Sequence, residues 1–92
     1  MMKSITFSYR PEAVTALQAT VLEAFAEGAD RVVLDLDAVP HLDATGVRGL
    51  ITLLRRAREV GGEVALRASR PDINRSLAVM ALDRLFPMVD AA

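Results

Sequence analysis

Apolar and polar positions alternate along residues 4–9, SITFSY, with Ile5, Phe7 and Tyr9 on one side. A period of two predicts a half-buried strand. Arg10-Pro11 interrupts it, and Pro11 suits the first turn of a helix. The period then lengthens. Over residues 12–27, Val14, Leu17, Val21 and Phe25 recur at helical spacing, with Glu12, Gln18, Glu23 and Glu27 mostly on other faces. Gly28 falls where a helix-ending glycine is expected. Residues 31–36, RVVLDL, are apolar on both sides until Asp35. That pattern predicts a central strand covered on both faces.

A loop, DAVPHLDAT, separates this strand from the next helical pattern. Over residues 46–60, Val47, Leu50, Ile51, Leu54 and Ala57 share one face, and Arg48, Thr52, Arg55, Arg56 and Glu59 the other. Gly61-Gly62 ends the helix, and EVALRAS at 63–69 reads as a further strand. SRPD at 69–72 opens a third helix, with Pro71 in its first turn and Asp72 near its N-terminus. Its apolar line is Ile73, Leu77 and Met80. Met80, Leu82, Leu85 and Met88 are expected to pack in the core or at the sheet edge, although Leu82 falls off that line, where exposure is the alternative. The closing LFPMVD is long enough for one edge strand. The order β-α-β-α-β-α-β predicts an α/β fold: one domain over residues 1–92, a small mixed, mainly parallel sheet with helices packed on it.

Ninety-two residues fit a single domain with one core. Hydrophobic residues make up 52% of the chain but aromatics only 4%, so the core must be aliphatic. The net charge of −1 offers no basic surface for nucleic acid. Ten of the eleven basic residues are arginines, Lys3 being the exception. Without cysteine there are no disulfides, thiolates or Cys-type metal sites. No apolar run is long enough to span a membrane and no signal-peptide pattern opens the chain, so a cytoplasmic location is the expectation.

In an open α/β sheet, sites gather at the carboxyl ends of the strands, where DLDAVPHLDATG lies. One reading of it is an aspartate-based phosphatase, because VVLDLDAV has the Asp-x-Asp of such nucleophile strands. That chemistry also needs a later lysine and further acids; no lysine follows Lys3, and EVALRAS ends without a carboxylate. A second reading is a phosphate cradle at DATGVRG. Its glycines do not precede the helix, and Asp43 would repel the ligand. A third makes the loop an acceptor of phosphate. Thr45 stands just before Gly46 at a helix start, a plausible N-cap. A phosphate there would add roughly two negative charges beside Asp43, and near Asp35. Against this stands the simple reading of Thr45 as an ordinary helix cap.

The stretch RVVLDLDAVPHLDATGVRGLITLLRRAREVGGEVAL resembles the core of the STAS domain, found in anti-sigma-factor antagonists and at the cytoplasmic ends of sulfate transporters. The family pattern is an apolar strand ending in Asp-Leu, a short loop, Asp-Ser-Ser/Thr-Gly, and a Leu-rich helix ending in Gly-Gly. The tail LAVMALDRLFPMVD is similar to the family's closing helix and strand. The resemblance covers roughly residues 31–90. It implies that Thr45 is the phosphoacceptor and Asp43 the acid of that loop. It further implies that Gly46 starts the helix tightly, and that Asp35 is the acid ending the preceding strand. It implies a binding protein without cofactor, metal or catalysis. An anti-sigma-factor serine/threonine kinase would dock on Asp35, Asp43, Ala44, Gly46, Val47 and Arg48, and phosphorylation would release it. Related short STAS proteins instead bind the ATPase of lipid-transporting ABC systems, or serve as scaffolds in stress-signalling assemblies. Two departures stand out. Ala44 replaces the serine that many members carry, so Thr45 is the loop's only hydroxyl. Members usually have two strands before the first helix, and SITFSYRPEAV supplies one.

The lone His41 reads as solvent-facing or packed rather than catalytic. Arg48, Arg55 and Arg56 form either a solvated face paired with Glu59 or a partner-docking surface.

Overall fold

A computed structural model describes residues 2–89. Three strands, β1 (Ser4–Ser8), β2 (Arg31–Asp35) and β3 (Glu63–Arg67), lie parallel in the order β1-β2-β3. The expected mixed sheet is therefore wholly parallel among its named strands. The helices are α1 (Val14–Ala26), α2 (Ala44–Glu59), α3 (Pro71–Val79) and α4 (Leu82–Leu85), and a 3-10 turn at Pro11–Ala13 leads into α1. That turn is where Pro11 falls, its fixed φ suiting a helix entry. Gly28, with φ +105°, ends the α1 region in a conformation that side chains resist.

Two right-handed crossovers running in one direction set α1 and α2 on the same side of the sheet. The core lies there. Val32, Leu34, Val64 and Leu66 point into one cluster with Val21, Leu50, Leu53 and Leu54, and Ile73, Leu77, Leu82 and Phe86 close it. β2 is central, as its apolar pattern predicts, and Val32, Val33 and Leu34 are all buried. Its second face carries no part of that cluster. There Thr6, Val33 and Ala65 form one cross-strand row, flanked by the rows Ser4–Arg31–Glu63 and Ser8–Asp35–Arg67. Ion pairs cross both flanking rows, Arg31–Glu63 at 2.8 Å and Arg67–Asp35 at 3.9 Å. Charged side chains thus frame the small Val33 and Ala65 on this side.

The C-terminal third departs from expectation. Among the described residues LFPMVD forms no strand. It contributes the end of α4 and one parallel bridge, Leu66 with Met88. The Leu66 N–H donates to Pro87 O, and the Val89 N–H donates to Leu66 O, both at 2.9 Å. Pro87 has no N–H to give a ladder, which limits pairing here. Asp90 lies outside the described residues. Leu82, off the apolar line but expected to pack, is 4% exposed. Met80, Leu85 and Met88, expected as packing residues, are 38–39% exposed. Ala81, with a left-handed backbone (φ 57°, ψ 23°), ends α3 and restarts the chain after it in a new phase. Met80, its N–H still bonded to Ser76 O, ends the helix at the edge of the core, and Leu82 enters the core after the chain has turned.

Candidate functional site

The loop between β2 and α2 is pinned at three levels. At its base, the two acids of the Asp-x-Asp pair serve as hydrogen-bond acceptors. Asp35 Oδ1 accepts the Asp37 N–H at 2.8 Å. Asp37 accepts the Ser69 N–H at 2.8 Å and the Ser69 hydroxyl at 2.7 Å. These Ser69 hydrogen bonds hold the Asp37 carboxyl below its ordinary pKa. Among the described residues, no group of three or more His, Cys, Asp or Glu side chains gathers where a metal ion could be held.

In the middle, Arg70 reaches across from the residue before α3. Its guanidinium donates to the carbonyls of Val39 and Pro40, the latter at 2.8 Å, and to Asp72 at 2.7 Å. A planar fork of donors suits this role, and a single lysine ammonium would not reach several acceptors at once. The Asp72 carboxyl is held below its ordinary pKa chiefly by that hydrogen bond. Asn74 adds a bond to Ala68 O at 2.9 Å, fixing the start of α3 to the end of β3.

At the top, Asp43 caps α2. Its Oδ1 accepts the Gly46 N–H at 2.9 Å, and its backbone is extended. Asp43, not Thr45, is thus the N-cap. An acid here satisfies an orphan N–H and suits the positive helix end. Thr45 consequently sits inside the first turn, one residue after Ala44, and is exposed. Its position leaves the hydroxyl without a helical carbonyl four residues back. Thr20 and Thr52, mid-helix, donate to such carbonyls, Ala16 O and Arg48 O.

Below the turn stands Tyr9, fully buried. Its hydroxyl donates to Gly46 O at 2.7 Å. A Cβ on Gly49 would lie 2.2 Å from that hydroxyl and 3.1 Å from Val14, so only glycine lets the helix settle on the phenol. Burial, followed by the charges of Asp43 and Glu12, pushes the Tyr9 pKa up to about 12.

Of the residues singled out in the sequence, Asp43, Ala44, Thr45, Gly46, Val47 and Arg48 come together at the start of α2. Asp35 does not join them. It is occupied at the loop's base, with Asp37 and Arg67. His41 is exposed beside Thr45, in a concavity of about 360 Å³ also lined by Pro11, Glu12, Val39, Pro40 and Asp43. A second groove, about 460 Å³ and mostly apolar, runs along α2. Ala44, Val47, Ile51 and Met80 line it, with Arg48 and Arg55 at its sides. Arg56 instead pairs with Glu59 at 3.8 Å. Sequence reasoning missed Arg70, Ser69 and the structural use of Asp37. Only the Arg-Pro-Asp helix start hinted at that corner. Tyr9 was legible as an inward-facing residue but not as a strut under the loop.

Known proteins resemble this chain along most of its length. It is 25% identical over 75 residues to "Putative anti-sigma factor antagonist BtrV" of Bordetella bronchiseptica, a match covering 82% of the chain and 65% of that protein. The chain thus spans about 65% of the length of that curated relative. Among solved structures, TM1081 of Thermotoga maritima has a TM-score of 0.74 at 20% identity, covering 95% of this chain and 74% of that one. The anti-sigma factor antagonist SpoIIAA in its unphosphorylated form has a TM-score of 0.68 at 16% identity, covering 100% and 83%. At these identities the structural likeness establishes the fold. Residues 12–92 match the model of the STAS domain, and the chain belongs to the STAS domain family.

Proposed function

We propose that this domain is an anti-sigma-factor antagonist, acting by binding rather than by catalysis. It captures an anti-sigma-factor kinase with the start of α2 and is released when that kinase phosphorylates Thr45. The observation that carries this reading is the position of Thr45: exposed, in the first turn of α2, with the capping role taken by Asp43. The hydroxyl is offered to solvent on a loop fixed at its base, middle and top. Two relatives give the reading its class, since the names of BtrV and SpoIIAA both describe anti-sigma factor antagonists.

The switch is electrostatic. The N–H groups of the first turn tolerate a phosphate locally. The same group brings roughly two negative charges next to Asp43 and Glu12. A partner that accepts the neutral threonine then meets a concentrated anion. The apolar groove along α2, starting at Ala44 and flanked by Arg48 and Arg55, extends the docking surface away from the loop.

The test incubates the chain with the cognate kinase and ATP and maps the phosphate. Phosphate on Thr45, absent from Thr45→Ala, is the expected result, with Thr45→Asp binding the kinase at least roughly tenfold more weakly than wild type. Equal binding of wild type and Thr45→Asp would sink the switch. Capture of an ABC-transporter ATPase, indifferent to Thr45→Asp, would replace this reading with a constitutive accessory role.

A further inference from the structure

The two edges of the sheet are treated differently. The edge at β3 is tied by the bonds between Leu66 and the Pro87–Val89 segment. The edge at β1 has no strand beside it among the described residues. Which groups it leaves open follows from the ladder. Lys3 O accepts the Arg31 N–H, and the Tyr9 N–H donates to Asp35 O. The odd-numbered residues of β1 therefore face β2, and backbone direction alternates along a strand. The N–H and C=O groups of Ser4, Thr6 and Ser8 point outward, and all three residues are exposed. Proteins blunt such edges with charges, prolines or bulges. Between Ser4 and Ser8 there are none.

We propose that β1 is a dimerisation edge, two copies of this chain pairing β1 with β1 antiparallel about a twofold axis at Thr6. The sequence SITFS is self-complementary about its centre. In that register Thr6 meets Thr6 and Ser4 meets Ser8. These are the residues with outward backbone groups, so each pair exchanges both of its N–H···O bonds. Ile5 meets Phe7 at the intervening positions, where side chains of opposite strands come closest. Both are half-buried on the core side of the sheet. Pairs of an aromatic with a β-branched residue, and of hydroxyl with hydroxyl, are favourable across strands, and no like charges are opposed. A slip by one residue would set outward groups against inward ones and forfeit the bonds.

Such an interface is isologous, the arrangement most homodimers use. α1, which the right-handed crossover places over β1 and β2, does not oppose it. From Val14 to Ala26 its only charged residue is Glu23. β1 lies outside residues 12–92, so this edge is a feature of the chain and not of the family match. The second copy is favoured over a foreign strand because self-complementarity is what the sequence of β1 supplies.

Sedimentation velocity on the 92-residue chain, from micromolar to near-millimolar concentration, tests the idea. The mass should rise from the monomer's 10.0 kDa toward twice that value. Thr6→Pro removes one outward N–H and no bond to β2. It should raise the dimer Kd by roughly tenfold or more while leaving the circular dichroism spectrum unchanged. Thr6→Lys should do the same by charge and keeps the test open should the proline variant unfold. Amide exchange gives an independent readout, the Thr6 and Ser8 amides gaining protection as the dimer forms. A single-chain mass at every concentration would overturn the proposal. So would a dimer that both Thr6 variants leave intact.

Discussion

The phenol of Tyr9 donates a 2.7 Å hydrogen bond to the carbonyl of Gly46, across 37 residues of sequence. This contact joins the end of β1 to the first turn of α2, one residue past Thr45. The height and tilt of the turn that presents the threonine thus depend on a residue just past the neighbouring edge strand, β1.

Tyr9 is the only tyrosine, and the chain has no tryptophan. Its ionisation can therefore be followed alone by ultraviolet absorbance. Burial favours the neutral phenol, so the folded pKa lies near 12 against an ordinary 10.0. The sign follows: this group stabilises the fold below about pH 10, and the contribution is lost as pH rises through about 12. The expected titration has its midpoint near 12, shifting to an ordinary value in denaturant. A native midpoint at the ordinary value would show that the phenol is not enclosed.

Tyr9→Phe should cost about 1 kcal/mol, the net worth of one hydrogen bond. Gly49→Ala should cost about 1–3 kcal/mol, because its Cβ would overlap the Tyr9 hydroxyl. The two changes touch the same atom, so they should not add. Chemical denaturation of both single variants and the double variant should give a coupling of at least ~0.5 kcal/mol, with Tyr9→Phe relieving part of the Gly49→Ala penalty. Strict additivity would refute the contact.

Asp43→Ala removes the cap of α2 and should lower stability by about 1 kcal/mol. Asp43→Asn keeps an acceptor for the Gly46 N–H and should retain most of that stability. Comparing the pair separates the carboxylate's hydrogen bond from its charge. If both variants lost equally, the capping role assigned to Asp43 would be wrong.

Arg70→Ala should free Val39 and Pro40 from α3. Hydrogen bonds involving a charged donor are worth about 1.5–3 kcal/mol, and Arg70 is only partly exposed at this corner, so the loss should fall toward the lower end. Arg70→Lys should restore little, because one ammonium cannot span the two carbonyls. Amide exchange at residues 37–42 should quicken in both variants. Unchanged exchange there would mean that the loop is held by other contacts.

The Asp37 carboxylate is held below its ordinary pKa by Ser69. A depressed folded pKa stabilises above the unfolded value of 3.8 and loses that effect as pH falls through the folded value. Loosening of the β3–α3 corner below about pH 4 is therefore expected, seen as faster exchange of the Ser69 amide. Ser69→Ala removes the hydroxyl bond and should raise the Asp37 pKa toward its ordinary value. A carboxyl titration of Asp37 unmoved by Ser69→Ala would discount the pair.

The sequence by itself determined the alternation of strands and helices, the central place of β2, and the loop that carries Thr45. Each of these rests on a local signal. Period two marks β1, the doubly apolar run marks β2, helical spacing marks α1 and α2, and Pro11, Pro71 and the glycines mark the breaks. The DATG motif was legible because its residues are contiguous. Tertiary structure decided what local signals cannot carry. Asp43 took the cap that Thr45 was expected to provide, since the chain enters α2 two residues earlier. Ala81, in a left-handed conformation that no glycine announced, re-phased the chain after α3 and carried Leu82 into the core, although it lies off the helix's apolar line. Arg70, Ser69 and Tyr9 reached the loop from 30 or more residues away. Contacts over such separations depend on which elements the crossovers set side by side, and no periodicity within one segment records them.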